Sequence, residues 1–402
     1  MKGLAGSVLI GGLLLGNTAW AQETQHCVAP GQWVNITDKK NLSHSEAMKK
    51  LAAQEIVLLG EDHDNPQHHR WQLHTIAKLH ALQPDMAIGF ESFPRRLQPV
   101  LDQWINNELS EKEFLKAVDW ESIWNYDAKY YMPMFQFARM NKIPMYAMNV
   151  ERTLIKRIGQ EGWENVPVEE REGVGNPAPA SQEYIDSLAD IFSQHMPHGP
   201  GGEKAAFDTK EPGFVRFTQS QQIWDRAMAE TASHVVRKDK RKLFVGIIGA
   251  GHIMSGFGIP HQLKDMGKYR VSSLMPWDGA IDCDMLQPGF ADLAFGMTAP
   301  DKDTDEQKKK HRPMLGIYLE GSEQGINITK LVPKGLADNM GMKPGDIIVQ
   351  VAGSPVDKVS DVVDVVKNMQ RGTWLPLTIK RDGKLIEMVA KFPAKKHPSQ
   401  DN

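Results

Sequence analysis

The sequence predicts an α/β domain, with a parallel sheet flanked by helices and a helical insertion, followed by a small β-rich domain. Three observations lead to this fold class. Short apolar runs rich in Val, Ile and Leu alternate with helical patterns through the longer first part of the chain, as buried parallel strands do. A charged stretch nearly free of apolar residues follows at 300–312. After it, short strand-like runs surround one clear helix.

The apolar runs and helical patterns occur in a regular order. The predicted strands are "EIVLLG" (55–60), "MAIGFE" (86–91), "PMYAMNV" (144–150) and "KLFVGIIGAGH" (242–252). Asn65 and Pro66 suit the N-cap and first turn of the helix after the first strand. Ser110 and Glu113 have capping-box spacing. Segments 164–180 and 197–213 are rich in Pro, Gly and charge, so we expect loops flanking an inserted helical part that could form a lid.

Length and charge limit the function classes. The 402 residues, 41% hydrophobic and 24% charged, exceed one ordinary domain and predict two. The predicted boundaries are 22–290 for the α/β domain, 291–312 for a linker and 313–395 for the β-rich domain. The formal net charge is −3, and no basic stripe with interleaved aromatic residues occurs. Nucleic acid is therefore not an expected partner.

The first 21 residues have the pattern of a secretory signal peptide. Lys2 precedes an apolar stretch, and small residues then lead to Ala21. We expect cleavage near Ala21 and a periplasmic or secreted protein. No later stretch approaches the roughly 20 apolar residues of a membrane span, so any membrane association would be through a partner. Cys27 and Cys283 are the only cysteines. An oxidising compartment would allow them to pair, and the sequence leaves that disulfide open.

Acidic and histidine side chains follow three of the predicted strands. Glu61 and His63 follow the first, Glu91 ends the second, and His252 follows the fourth. Since ligands bind at the carboxyl ends of strands in open parallel sheets, we expect these four side chains to meet at one edge. Two Gly-x-x-His motifs accompanied by carboxylates favour a functional site, although single buried histidines are usually only hydrogen-bonded.

The helix after the first strand is also rich in histidine. His69 and His80 share one face of this helix, and His68 and His74 lie on other sides. We expect most of the helix to be a solvated face. No His-Glu-x-x-His spacing and no cysteine pair occur, so neither the common helical zinc motif nor a structural zinc site is predicted.

A third concentration of chemistry is the aromatic segment 120–139. It offers Tyr126 and Tyr131 beside other aromatic and methionine side chains, with Lys129 and Arg139 nearby. Taken alone, such a segment is more typical of a helix packed against the sheet.

Six segments between residues 45 and 280 resemble the ChaN family of haem-binding uptake proteins, within the Tiki/TraB/erythromycin-esterase superfamily. These are "LLGEDHDNPQHH", "GFESFPRRLQPVLDQW", "WNYDAKYYMPMFQFAR", "YAMNVERTLIKRI", "QSQQIWDRAMAE" and "GAGHIMSGFGIPHQL". The resemblance implies haem binding in iron acquisition, a dimer, and a tyrosine ligand to the haem iron. It points to Tyr131 first and Tyr126 second, with Lys129 and Arg139 as cations near the haem. Glu61, His63, Glu91 and His252 would then lie around the bound haem.

Other members of that superfamily imply a different reading. The Tiki and TraB relatives resemble metal-dependent peptidases, and erythromycin esterases are hydrolases. In an enzyme of this kind, a divalent metal ion would be held by His63, His252 and Glu61, or a histidine would activate water. No nucleophile motif supports an enzyme. A third interpretation is an adaptor protein without catalytic activity.

The C-terminal domain resembles a bacterial PDZ domain. The resemblance rests on Leu315-Gly316-Ile317, in the position of the carboxylate-binding loop, and on the stretch 335–356. It implies that these three residues hold the C-terminus of a protein partner, beside a strand edge that pairs with the peptide. The alternative is a docking domain that binds no free C-terminus.

Overall fold

The computed structural model describes residues 27–194, 208–240, 242–279, 282–298, 314–322, 325–367, 369–370 and 372–393. The chain divides into two compact units, residues 1–299 and 300–402. The predicted signal peptide, residues 1–21, lies outside the described residues. In the part of the chain that the structure describes, no helix has the length and apolar character needed to cross a membrane.

The first unit is built on an eight-stranded sheet. Its strands are β1 (Trp33–Asn35), β2 (Lys40–Leu42), β3 (Ile56–Glu61), β4 (Met86–Pro94), β5 (Met145–Asn149), β6 (Leu243–Gly249), β7 (Val271–Trp277) and β8 (Leu293–Gly296). Their order across the sheet is β2-β1-β8-β7-β3-β6-β4-β5. Strands β3 to β8 pair in parallel, and β1 and β2 add an antiparallel edge. The α/β prediction is confirmed.

Ten helices of the first unit are described. They are α1 (His44–Ala52), α2 (Pro66–Leu82), α3 (Gln98–Ile105), α4 (Glu111–Ala117), α5 (Trp120–Ile123), α6 (Ala128–Met140), α7 (Arg152–Glu161), α8 (Gln182–Gln194), α9 (Pro212–Lys238) and α10 (Ile259–Met266). As predicted, the Asn65 side chain caps α2, with Pro66 in its first turn. Ser110 and Glu113 form the predicted capping box of α4.

The central strands are apolar on both faces because helices cover both. Val57 and Leu59 of β3 join one buried cluster, and Ile56 and Leu58 join another. This alternation follows from the two-residue period of a strand. Strand β8 lies within the range 291–312 that was predicted as a linker. Its residue Leu293 is fully buried in the sheet, so this part of the range belongs to the first unit.

Cys27 and Cys283 form a disulfide, with Cα atoms 5.7 Å apart. The bond joins positions 256 residues apart and ties the start of the described chain to a 3-10 turn after β7. The sequence had left this pairing open.

The second unit is a small antiparallel β domain, and its described residues include two short helices. Its strands are β9 (Ile317–Ser322), β10 (Gly325–Leu331), β11 (Ile347–Val351), β12 (Ser354–Pro355), β13 (Trp374–Arg381) and β14 (Lys384–Lys391), and its helices are α11 (Leu336–Asn339) and α12 (Val359–Lys367). The order is β14-β13-β11-β10-β9, with β12 beside β11. Strand β9 is therefore at one edge of this sheet.

Candidate functional site

Four side chains that were predicted to converge are held at the carboxyl edge of the first sheet. Glu61 ends β3 and His63 follows it. Glu91 lies in β4 directly beyond Phe90, where the pairing with β6 ends. His252 lies in the 3-10 turn that follows β6. Because β3, β6 and β4 are neighbours in the sheet, these four residues come from adjacent strand ends.

Glu61 is the centre of a buried polar network. Its Oε1 accepts a hydrogen bond of 2.6 Å from the hydroxyl of Tyr131 and lies 2.8 Å from Nδ1 of His63. Its Oε2 is 3.1 Å from Nδ1 of His69. Burial alone would raise the pKa of Glu61, but the two imidazoles outweigh it and hold that pKa well below its usual range. Glu61 is therefore an ionised acceptor that orients His63.

Asp225 of α9 occupies the corresponding position behind His252. Its Oδ1 lies 2.7 Å from Nδ1 of His252, and its Oδ2 accepts a hydrogen bond of 2.8 Å from the hydroxyl of Tyr184 on α8. Burial lowers the pKa of His252, but the charges of Glu91 and Asp225 outweigh it and raise that pKa to about 9. Neither Asp225 nor Tyr184 is predicted from the sequence.

Glu91 lies between the two histidines. Its Oε1 is 4.0 Å from Nε2 of His63 and 3.5 Å from Nε2 of His252. Its Oε2 accepts a hydrogen bond of 2.6 Å from the backbone N–H of Gly249. A Cβ atom on Gly249 would lie 2.8 Å from Cε1 of His63, so only glycine leaves room for that imidazole. Both histidines thus present Nε2 to one carboxylate oxygen.

This group of side chains opens into a cavity of about 460 Å³, which we call the strand-end cavity. Its walls include the apolar residues Pro94, Ile123, Trp124, Val150, Ile155 and Trp224, the exposed cations Arg152 and Lys156, and the polar residues His63, Glu91, Tyr126 and His252. The ring of His63 is 4.6 Å from that of Trp124 and 5.2 Å from that of Tyr126, measured between centroids. The cavity can therefore offer histidine, carboxylate and phenol groups to one ligand.

The two tyrosines predicted as haem ligands occupy different environments. Tyr131 is 1% exposed, and its hydroxyl donates to Glu61. Burial and the carboxylate of Glu61 raise the pKa of Tyr131, which disfavours the phenolate that an iron ligand requires. Tyr126 is 36% exposed and lines the strand-end cavity.

The predicted cations lie apart from these groups. The guanidinium of Arg139 is 4.0 Å from the ring centroid of Trp104 and donates to the backbone oxygen of Leu109. Lys129 is exposed in the first turn of α6. Among the described residues that line the strand-end cavity, the cations are Arg152 and Lys156 instead.

The expectation that the histidines of α2 are mostly solvated is wrong for two of them. His68 and His69 are 3% and 2% exposed. His68 also belongs to a group with Asp62 and Asp278 whose spacing would allow a metal ion. However, Nδ1 of His68 accepts the backbone N–H of Asp62 at 2.9 Å, so the neutral ring carries its proton on Nε2, facing Asp278 at 3.4 Å. That imidazole has no remaining lone pair for a cation.

In the second unit, Leu315, Gly316 and Ile317 precede and begin the edge strand β9. Leu315 is buried in the core, and its carbonyl accepts the N–H of Ala337 at 2.8 Å. Gly316 has a φ of +76°, a conformation that favours glycine. The segment therefore leads directly into β9, which has a pairing strand on one side only among the described residues.

Two family models match the chain. The model described as haem-binding uptake, Tiki superfamily, ChaN matches residues 47–263. The PDZ domain model matches residues 313–391.

Similar proteins were found for both units. A structure titled cofacial heme binding to ChaN of Campylobacter jejuni is 19% identical, covers 65% of this chain and 95% of its own, and superposes with a TM-score of 0.52. A probable periplasmic serine endoprotease DegP-like protein of Bartonella henselae is 38% identical over 58 residues, 14% of this chain and 12% of that relative. The HtrA3 PDZ domain bound to a phage-derived ligand is 22% identical over 19% of this chain and 82% of its own, with a TM-score of 0.18. The chain thus spans only a small part of the DegP-like relative.

Proposed function

The chain belongs to the haem-binding uptake family of the Tiki superfamily, ChaN, and from this premise we propose that haem binds at the strand-end cavity. The observation that carries this location is Tyr126, a partly exposed phenol beside His63 in the cavity wall. A tyrosine phenolate is one of the recognised axial ligands of haem iron. We propose Tyr126 for this role in place of Tyr131, whose hydroxyl is already bonded to Glu61.

The other residues of the cavity fit the remaining needs of a haem. Trp124, Val150 and Ile155 provide apolar walls, and the exposed cations Arg152 and Lys156 suit the propionates. Bound haem would supply the iron chemistry, while these residues bind and orient it.

A haemin titration followed by absorbance tests this proposal. For the wild type we expect saturable binding with a tyrosinate-type spectrum. Tyr126→Phe is expected to lose that spectrum and at least about tenfold in affinity, which corresponds to about 1.4 kcal/mol, because no phenolate remains beside His63. Tyr131→Phe is the matched control and should keep both. Absence of saturable binding by the wild type would contradict the haem function. Loss of the spectrum in Tyr131→Phe alone would make Tyr131 the ligand.

We further propose a role in periplasmic haem or iron uptake or trafficking, after removal of residues 1–21, with the homodimer that the family resemblance implies. The PDZ domain would bind the C-terminus of a membrane or periplasmic partner. Within the described residues, β9 pairs with β10 on one side, and its other edge can add a peptide strand. Leu315, Gly316 and Ile317 would then receive the terminal carboxylate.

One observation favours a second candidate function, a metal-dependent peptidase or esterase. Nε2 of His63 and Nε2 of His252 both face Oε1 of Glu91, at 4.0 and 3.5 Å. Two imidazole nitrogens and a carboxylate oxygen are donor types that a zinc-like cation accepts. The described groups whose ligand atoms all lie within 4.8 Å of one another do not include this trio, so the two imidazoles would have to draw closer together around such an ion. The third ligand would be Glu91 and not Glu61, which lies behind His63. A divalent cation would supply Lewis-acid activation of water.

A peptidase and esterase screen with added Zn²⁺ or Mn²⁺ tests this second function. We expect turnover only in the presence of metal, and a fall to background in His63→Ala, because one of the three ligands is lost. Asp278→Asn is a suitable control. It removes a carboxylate beside His68, whose imidazole has no lone pair left for a cation, so turnover should not change. Equal turnover in wild type and His63→Ala would exclude this site as its source.

A further inference from the structure

Tyr126 lies in the segment 119–127, which includes the short helix α5 and ends where α6 begins; we call it the tyrosine loop. Two of its residues, Asp119 and Asn125, have positive φ values of 53° and 60°. This left-handed conformation is uncommon in residues other than glycine, and asparagine and aspartate tolerate it best. Asn125 separates Trp124 from Tyr126, and both of these aromatic side chains line the strand-end cavity.

Trp120 binds the tyrosine loop through both its side chain and its backbone. Its indole N–H donates a hydrogen bond of 2.7 Å to the backbone oxygen of Tyr126. Its own backbone oxygen accepts the N–H groups of Trp124 at 3.0 Å and Asn125 at 3.4 Å. A single residue is therefore hydrogen-bonded to three consecutive residues that lead into the cavity wall.

The ring of Trp120 is itself fixed in the core of the first unit. Trp120 is 4% exposed, and its ring centroid lies 5.3 Å from that of Tyr131 and 5.7 Å from those of Phe93 and Phe135. A buried indole needs a partner for its N–H, whereas phenylalanine would fill an apolar position without one. The partner here is the backbone of Tyr126, so a rigid core side chain holds a partly exposed phenol.

We propose that Trp120, together with the left-handed turn at Asn125, positions Tyr126 for the iron of haem. This inference rests on the proposed function, with haem in the strand-end cavity and Tyr126 as its ligand. A phenol on an exposed loop loses conformational freedom when it binds a ligand, and an anchor that already holds the loop reduces that cost. Trp120 is not among the described residues that line the cavity, so it acts on haem through Tyr126.

Haemin titration of Trp120→Phe tests this inference through affinity and spectrum. Phenylalanine keeps an aromatic ring in the core and removes only the N–H donor. We expect a loss of affinity of about three- to tenfold, the size of one hydrogen bond. We also expect a smaller share of the tyrosinate-type spectrum at saturation, because the phenol is no longer held in place. In a Tyr126→Phe background the same substitution should have no further effect, since its coupling to haem is lost.

Trp104→Phe is the matched control. The indole N–H of Trp104 donates a hydrogen bond of 3.0 Å to the backbone oxygen of Phe135, within the same buried cluster. The substitution removes the same kind of bond away from the tyrosine loop, so haemin binding should match that of the wild type. Asn125→Val disturbs the loop without changing the core. A β-branched side chain resists a positive φ, so this variant should lose affinity as Trp120→Phe does.

The possible outcomes separate this role from the haem function itself. If the wild type binds haemin through Tyr126 but folded Trp120→Phe and Asn125→Val bind within twofold of it, the positioning role is wrong and the haem function stands. An equal loss from Trp120→Phe with and without Tyr126→Phe would assign the effect to general packing and overturn the role as well. If the wild type shows no saturable binding, the haem function is wrong, and this inference falls with it.

Discussion

Replacing Cys27 and Cys283 together with serine lowers the free energy of unfolding of the first unit by about 2–5 kcal/mol. The disulfide joins positions 256 residues apart. Breaking it frees a very long loop in the unfolded chain, and in the chain-entropy account the stabilisation by a disulfide grows with the length of that loop. Urea denaturation of wild type and double variant, followed by tryptophan fluorescence, measures the difference.

Reduction provides a control for the same bond. A reductant should destabilise the wild type about as much as the double substitution does, and it should leave the Cys27→Ser/Cys283→Ser variant unchanged. Thiol titration should show that the reduced wild type has two free thiols. If its urea midpoint is then the same as that of the oxidised protein, the bond contributes nothing to stability. A stable disulfide agrees with the proposed periplasmic location, since such bonds persist in oxidising compartments.

Glu61→Leu is expected to lower the free energy of unfolding by about 3–5 kcal/mol, the usual range for removing one partner of a buried ionic group. Leucine keeps the bulk but removes the acceptor that Tyr131, His63 and His69 share. The hydroxyl of Tyr131 and the imidazole of His69 would then be buried without this acceptor. Denaturation at neutral pH measures the loss, and a difference below about 1 kcal/mol would show that the network relaxes without cost.

Glu61→Gln is the matched variant, because it keeps the shape and one acceptor oxygen. Its deficit relative to wild type should depend on pH. The pKa of Glu61 is lower in the folded chain than its ordinary value of 4.5. The ionised carboxylate therefore stabilises the fold above about pH 4.5, and this contribution is lost as the pH falls toward the folded-state pKa. The difference between wild type and Glu61→Gln should shrink in acid.

Much of the first unit was predictable because its central strands are strongly apolar. The runs at 55–60 and 86–91 correspond to β3 and β4, and the position of function at their carboxyl ends follows from the parallel sheet. Strands β1 and β7 were not predicted. A three-residue strand has too few positions to show a period, and β7 includes two serines and a proline.

The site was predicted only where its residues follow strands. Glu61, His63, Glu91 and His252 could be placed together from topology. Asp225 and Tyr184 lie on helices, and their contact spans 41 positions in the chain. No local pattern distinguishes them from other polar residues of those helices.

The family resemblance ranked Tyr131 before Tyr126, but the sequence could not show the different environments of the two side chains. Both lie in one aromatic segment, and their difference arises from packing. Tyr131 points from α6 into the buried network around Glu61 at the end of β3, whereas Tyr126 precedes the helix and is partly exposed.

The contact between Gly249 and the ring of His63 has an evolutionary consequence. Because a Cβ atom at Gly249 would collide with that imidazole, the glycine of the second Gly-x-x-His motif is constrained by the histidine of the first. The two motifs therefore form one steric unit, despite their distance along the chain. A lineage that replaced His63 with a smaller residue would release Gly249 to drift. In relatives of this chain we therefore expect a side chain at the position of Gly249 only where the position of His63 holds a smaller residue.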